Sequence, residues 1–285
     1  MKLSKTLIAG LASVLCLTAG GAALAAGGAE HPRDVDFSFE GPFGTFDQAQ
    51  LQRGYRVYKE VCASCHSMEL LSFRDLGMKG GPFWDPRWPN PNDNLFVKAI
   101  AAEFEIADID SESGDAITRP GTSADRFPNP YANDVAAAAS NGGAVPPDLS
   151  VMAKARHGGA DYIYSLLVGY VRPPAGLTVG AGQYYNKYFG GDLTSAWSGD
   201  PHHVPKGGFI AMPAPITTEG QVTYDDGTRA TVDQMSRDVA AFIAWASEPK
   251  QTERKQTGLA VMIYLALFSV LTFFSYKRLW KNVGH

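Results

Sequence analysis

The sequence predicts a mainly α-helical protein, one globular domain enlarged by long loops and followed by a single C-terminal transmembrane helix. Three observations carry this expectation. Residues 45–62 and 231–247 repeat apolar side chains at helical spacing. Residues 259–276 run from Leu259 to Tyr276 without a charge. At the helical rise that is about 27 Å, enough to span a bilayer's hydrocarbon core. The stretches between are rich in Gly, Pro, Asn and Asp and read as loops. A chain of 285 residues is ample for one hydrophobic core.

Residues 1–25 read as a secretory signal. Lys2 and Lys5 form a positive start, Leu7 to Leu17 is an apolar stretch too short to span, and Ala23-Leu24-Ala25 has the form of a cleavage site. Cys16 leaves with it. An uncleaved anchor is the alternative reading. In the helix predicted over 45–62, Leu51, Tyr55, Tyr58 and Cys62 share one face, and Thr45 or Asp47 can cap its start. Gly54 lies on the same side and can admit the close approach of another helix.

That helix runs straight into Cys62-Ala63-Ser64-Cys65-His66. Cys-x-x-Cys-His is the attachment sequence for c-type haem. Two thiols one helical turn apart can each form a thioether to a vinyl group, and the following histidine reaches the iron. A thioredoxin-type pair needs no histidine, and a zinc site needs ligands that the mature chain lacks. Export fits this reading, because in bacteria covalent haem attachment takes place outside the cytoplasmic membrane.

Residues 80–150 read as long loops with short helices, one of them Asn94 to Glu105. Glu103, Glu105, Asp108, Asp110, Glu112 and Asp115 form an acidic run without an intervening Lys or Arg. It is either a solvated face or a docking field for a basic partner. Residues 146–170 predict two short helices around Gly158-Gly159. Arg156 and Tyr162 are candidates for a haem propionate, since Arg offers a fork of donors; a surface arginine and a core tyrosine fit the pattern equally. His157 is an iron-ligand candidate only if it is more than a hydrogen-bonded helix-end residue. Residues 173–215 are loop again. Within them Met212 stands in Ile210-Ala211-Met212-Pro213-Ala214-Pro215, where prolines stiffen the backbone around a thioether suited to a distal ligand. The residues alone leave open a methionine filling a core gap. Met68, Met78, Met152 and Met235 are competitors without such bracing. In 231–247, Thr231 to Gln234 reads as a capping box, Val232, Met235, Val239, Phe242 and Ala246 as an apolar stripe, and Glu248-Pro249 as the stop.

After Tyr276, Lys277, Arg278, Trp280 and Lys281 suit a membrane interface, while Lys250, Arg254 and Lys255 flank the other side. A buried soluble helix is the alternative to a span. The signal fixes the orientation: an exported domain over 26–256, a membrane helix over 257–277 in contact with lipid, and a cytoplasmic tail over 278–285. The exported part holds all 29 acids against 20 bases, a net charge of −9. That balance favours a positively charged partner and excludes a nucleic-acid surface.

Taken together, the motifs resemble cytochrome c1 of the bacterial type, the c-haem subunit of the cytochrome bc1 (quinol–cytochrome c oxidoreductase) complex. The resemblance runs from about Phe39 to Trp280. Besides the haem motif it rests on Arg119-Pro120-Gly121, Pro146-Pro147-Asp148-Leu149-Ser150, Ala155-Arg156-His157-Gly158-Gly159, Tyr184 to Phe189, Ile210 to Pro213 and Trp245 to Pro249. It implies a class I cytochrome c-like haem domain with one haem c, Cys62 and Cys65 as thioether partners, His66 and Met212 as iron ligands, and Arg156 with Tyr162 near a propionate. It also implies cytochrome b and a Rieske iron–sulfur protein as fellow subunits, a soluble basic c-type cytochrome as acceptor, a homodimeric complex, and a bacterial inner membrane with the haem domain in the periplasm. No side chain is then an acid, base or nucleophile, and the chain is no enzyme on its own. A stand-alone membrane-anchored carrier and a haem peroxidase or gas sensor are the rival readings. Between Phe189 and Phe209 the chain is longer than the mitochondrial pattern; the His202-His203 pair there reads as solvent loop, with a further metal site as the alternative. The disulfide of some bacterial relatives has no cysteines here.

Overall fold

The computed structural model describes residues 28–282. The signal reading over 1–25, with Cys16, falls outside them. The described chain is mainly helical, with two small two-stranded sheets. Helix α1 spans Gln48–Val57, and Asp47 supplies its cap by accepting from the Gln50 N–H at 2.7 Å. The helix predicted to Cys62 does not continue as α: Tyr58–Cys62 forms one π-helical turn, closed by the Ala63 N–H on the Tyr58 carbonyl at 2.8 Å. Single π turns widen the helix locally and recur at functional sites.

Helix α2 covers Leu95–Ala102, capped by Asn94. It stops short of the expected Glu105, because the chain turns into an antiparallel hairpin, β1 (Glu105–Ile109) with β2 (Ala116–Pro120). The acidic run lies across that hairpin and its turn. Two of its members meet cations from elsewhere, Glu103 with Lys59 and Asp108 with Arg119. The run is therefore less bare than the sequence order suggests.

Short helices α3 (Asp134–Ser140) and α4 (Met152–Ala155) precede α5 (Gly159–Val168). Gly158 and Gly159, at φ 89° and 52°, make a left-handed turn between α4 and α5, at the pair around which the sequence predicts two short helices. The expected loop over 173–215 is pinned by a strand pair, β3 (Tyr184–Asn186) with β4 (Gly208–Ile210), and encloses a small core of Leu177, Tyr185 and Leu193.

Helix α6 (Val232–Ser247) begins on Thr231, whose hydroxyl accepts from the Gln234 N–H at 3.0 Å. The box is not reciprocal: the Gln234 amide donates to Asp238 instead. Met235, Val239, Phe242 and Ala246 are buried as the stripe predicts. Helix α1 crosses α6 where Gly54 lies, and a Cβ there would stand 2.1 Å from the Asp238 carbonyl oxygen. Only glycine permits that approach. Tyr55 and Tyr58 pack their rings on Phe242, both 5.7 Å between centroids. Helix α7 then runs Gln251–Trp280, long and apolar enough to cross a membrane; an 18-residue stretch of it has a mean hydropathy of 2.1, and none of that stretch is buried by the rest of the chain.

Candidate haem-binding site

The α1–α6 crossing fixes where the π turn ends, and so where the motif begins. Within the motif the Cys65 and His66 N–H groups both donate to the Cys62 carbonyl, at 3.1 and 2.9 Å. This one tight turn sets the two thiols side by side. Both cysteines are free and half-buried. Burial pushes the Cys62 thiol up to about 12, the reverse of the lowered value that marks a redox-active thiolate.

The His66 ring meets a second segment of chain. Its Nδ1 lies 2.7 Å from the Pro147 carbonyl oxygen. A carbonyl only accepts, so Nδ1 carries the proton and Nε2 keeps a lone pair for a metal. Burial lowers the pKa of the ring, which favours the neutral form. The same two segments are laced further: the Leu149 N–H donates to the Ser67 carbonyl at 2.9 Å, the Glu69 N–H to the Asp148 carboxylate at 2.8 Å, and the Leu70 N–H to the Ser150 hydroxyl at 3.0 Å.

From Ser150 the chain passes through α4 to Arg156, which is exposed, and across the glycine turn to Tyr162 on α5. The two candidate propionate residues lie close together: burial raises the Tyr162 phenol, and the positive charge of the neighbouring Arg156 guanidinium opposes that rise. His157 is exposed at the turn. Beyond α5, Tyr170 donates its hydroxyl to the Met212 carbonyl at 3.0 Å. Burial first, then neighbouring Tyr162 and Tyr184, raise the Tyr170 phenol. Met212 itself is half-buried, two residues beyond β4. Among its competitors, Met68 and Met235 are fully buried in the main core, and Met152 packs against it. The residues 146–170 thus join the motif to the methionine loop. The sequence pattern did not assign Pro147 and Tyr170 their holding roles; their signal is only polar or aromatic identity beside a candidate ligand.

His202 and His203 stand in an exposed loop, with the His203 Nδ1 2.6 Å from Asp200. Among the described residues no group of three or more metal-ligating side chains gathers there.

The Cytochrome C1 family model matches residues 37–283. Cytochrome c1 of Rhodospirillum rubrum is 39% identical over 291 residues, which covers 96% of this chain and 97% of the relative. The chain belongs to the cytochrome c1 family. A mitochondrial cytochrome c1 heme protein of Arabidopsis thaliana is 42% identical over 256 residues, 90% of this chain and 74% of the relative. Against the cytochrome b/c1 of Bradyrhizobium diazoefficiens the identity is 40% over 274 residues; the chain spans only 36% of that protein. Haem is the cofactor of the family, and the donor set fits it: two adjacent free thiols, one imidazole oriented with Nε2 open, and an arginine–tyrosine pair suited to carboxylates.

Proposed function

We propose that this chain is the electron-transfer subunit of a cytochrome bc1 complex, taking electrons from a Rieske iron–sulfur protein and passing them to a soluble basic c-type cytochrome. The observation that carries the reading is the His66–Pro147 hydrogen bond within a Cys-x-x-Cys-His turn of a cytochrome c1 family member. Haem c, when bound, supplies a one-electron ferric–ferrous couple. The chain's residues would hold it: Cys62 and Cys65 would form the thioethers, His66 would ligate through Nε2, and Met212 would ligate through its sulfur from a loop held by Tyr170. Arg156 and Tyr162 would bind a propionate. With haem c bound, His66 and Met212 would supply its iron ligands, and no side chain here would act as acid, base or nucleophile.

The Bradyrhizobium relative, whose name joins b and c1, supports cytochrome b as a fellow subunit. The haem domain faces the periplasm of a bacterial inner membrane, α7 crosses that membrane, the tail is cytoplasmic, and the complex is a homodimer. The test is a reduced-minus-oxidised visible spectrum of the tagged protein, purified from its own membranes in mild detergent. Bands of c-type and b-type haem in a stable ratio are expected. A c-type band alone makes the chain a stand-alone membrane-anchored carrier.

A further inference from the structure

Four phenylalanines precede α1, and three of them turn inward. Phe37 and Phe39 are 3% and 6% exposed, with stacked rings 5.1 Å apart. Phe46 packs on Phe39 at 4.5 Å. Phe43 points outward and is 74% exposed. It stands at the tip of a turn begun by Gly41 at φ 66° and closed by the Thr45 N–H on the Ser38 carbonyl at 3.0 Å. The turn is held against the foot of α7: the Lys255 ammonium donates to the Phe39 carbonyl at 2.6 Å and to the Gly44 carbonyl at 3.3 Å.

Pro42, Phe43, Gly44 and Thr45 line one wall of a groove of about 230 Å³, and Thr252, Lys255, Gln256 and Leu259 line the other. Leu259 is the first large apolar residue of the uncharged run that follows Lys255. The groove is therefore level with the edge of the hydrocarbon and continuous with the apolar surface of α7. Hydrophobic burial rewards an aromatic ring at that depth, where aromatic side chains concentrate. We propose that the turn over residues 41–44 is a second membrane contact: Phe43 enters the headgroup–acyl boundary, and the groove seats the upper part of a phospholipid acyl chain. Lys255 keeps one N–H beyond the two it spends on carbonyls. The contact fixes the tilt of the haem domain over the bilayer. It rests on α7 crossing the membrane.

The test uses the haem-loaded protein with its accompanying subunits in phosphatidylcholine nanodiscs. Spin labels are placed singly through Phe43→Cys, Phe268→Cys in the middle of the span, and Val135→Cys on α3, where the native side chain is 79% exposed. Power saturation compares access by oxygen with access by a water-soluble nickel chelate. The expected oxygen-to-nickel ratio at 43 lies between the other two and several-fold above that at 135. A ratio at 43 equal to that at 135 overturns the contact, as does a label at 43 shielded from both reagents by a protein neighbour. A solvent-like ratio at 268 instead refutes the membrane span itself.

Discussion

Arg53 and Asp238 form an ion pair at the α1–α6 crossing, and removing the arginine strands the carboxylate. The Asp238 side chain is 0% exposed and the Arg53 side chain 16%, with the guanidinium Nε 2.9 Å from the carboxylate. Asp226 takes a second bond from Arg53 at 2.7 Å, and the Gln234 amide donates to Asp238 at 2.9 Å. Burial raises the Asp238 pKa, although Arg53 and Gln234 oppose the rise. In Arg53→Met the largest opposing charge is gone, so the rise grows. Breaking a buried pair from one side costs about 3–5 kcal/mol. For a domain of this size each kcal/mol moves the midpoint roughly 2–4 °C, giving a loss of about 6–20 °C at neutral pH. The sign with pH follows from the raised value. The unfolded aspartate titrates near ~3.9, and the folded one above it, so folding takes up a proton between the two values. Protonation removes the stranded charge, and the deficit of Arg53→Met shrinks as the pH falls into that window. Thermal unfolding followed by far-ultraviolet circular dichroism, in detergent at pH 5 and pH 8, reads both effects. Adding Asp238→Asn to Arg53→Met restores most of the loss at pH 8. An equal deficit at both pH values, with no rescue by the amide, refutes the stranded-charge argument.

Three further outcomes are expected. Met212→Leu lowers the reduction potential and lets the reduced iron bind carbon monoxide, read by redox titration and difference spectra; an unchanged potential removes Met212 from the iron. Tyr170→Phe keeps the haem bound but broadens or shifts the ligand-sensitive absorption, because the Met212 carbonyl loses its donor; an unaltered spectrum and potential leave Tyr170 without that role. Glu105→Gln, Glu112→Gln and Asp115→Asn together slow reduction of a basic c-type cytochrome several-fold at low salt, and the difference closes at high salt, where the Debye length is short; identical stopped-flow rates return the hairpin to a solvated face.

The helical parts were legible because one face of each is buried. Leu51 and Tyr55 on α1, Tyr58 at the start of the π turn, and the Met235–Ala246 stripe on α6 are the side chains that meet. Gly54 was readable for the same reason, since a missing side chain on a buried face marks a close approach. The hairpin β1–β2 was not legible. Glu105–Ile109 is mostly exposed, so no alternation between core and solvent writes itself into the sequence. The charge partners of the acidic run were equally hidden, because Lys59 and Arg119 arrive from outside the run through tertiary contacts. At the site, the Cys-x-x-Cys-His motif is contiguous and reads directly. The groups that hold the candidate ligands, Pro147 at His66 and Tyr170 at the Met212 backbone, are set by the fold.

The span between His66 and Pro147 separates the local from the non-local parts of the proposed site. The five residues from Cys62 to His66 are neighbours in the chain, so thioethers on them would form without any loop closing. Orientation of the imidazole requires that a loop of 81 residues close first, an entropic cost that local attachment avoids. On the proposed haem reading, a chain truncated before residue 147 would keep both thiols and the histidine, but the imidazole would have no Pro147 carbonyl to fix its orientation.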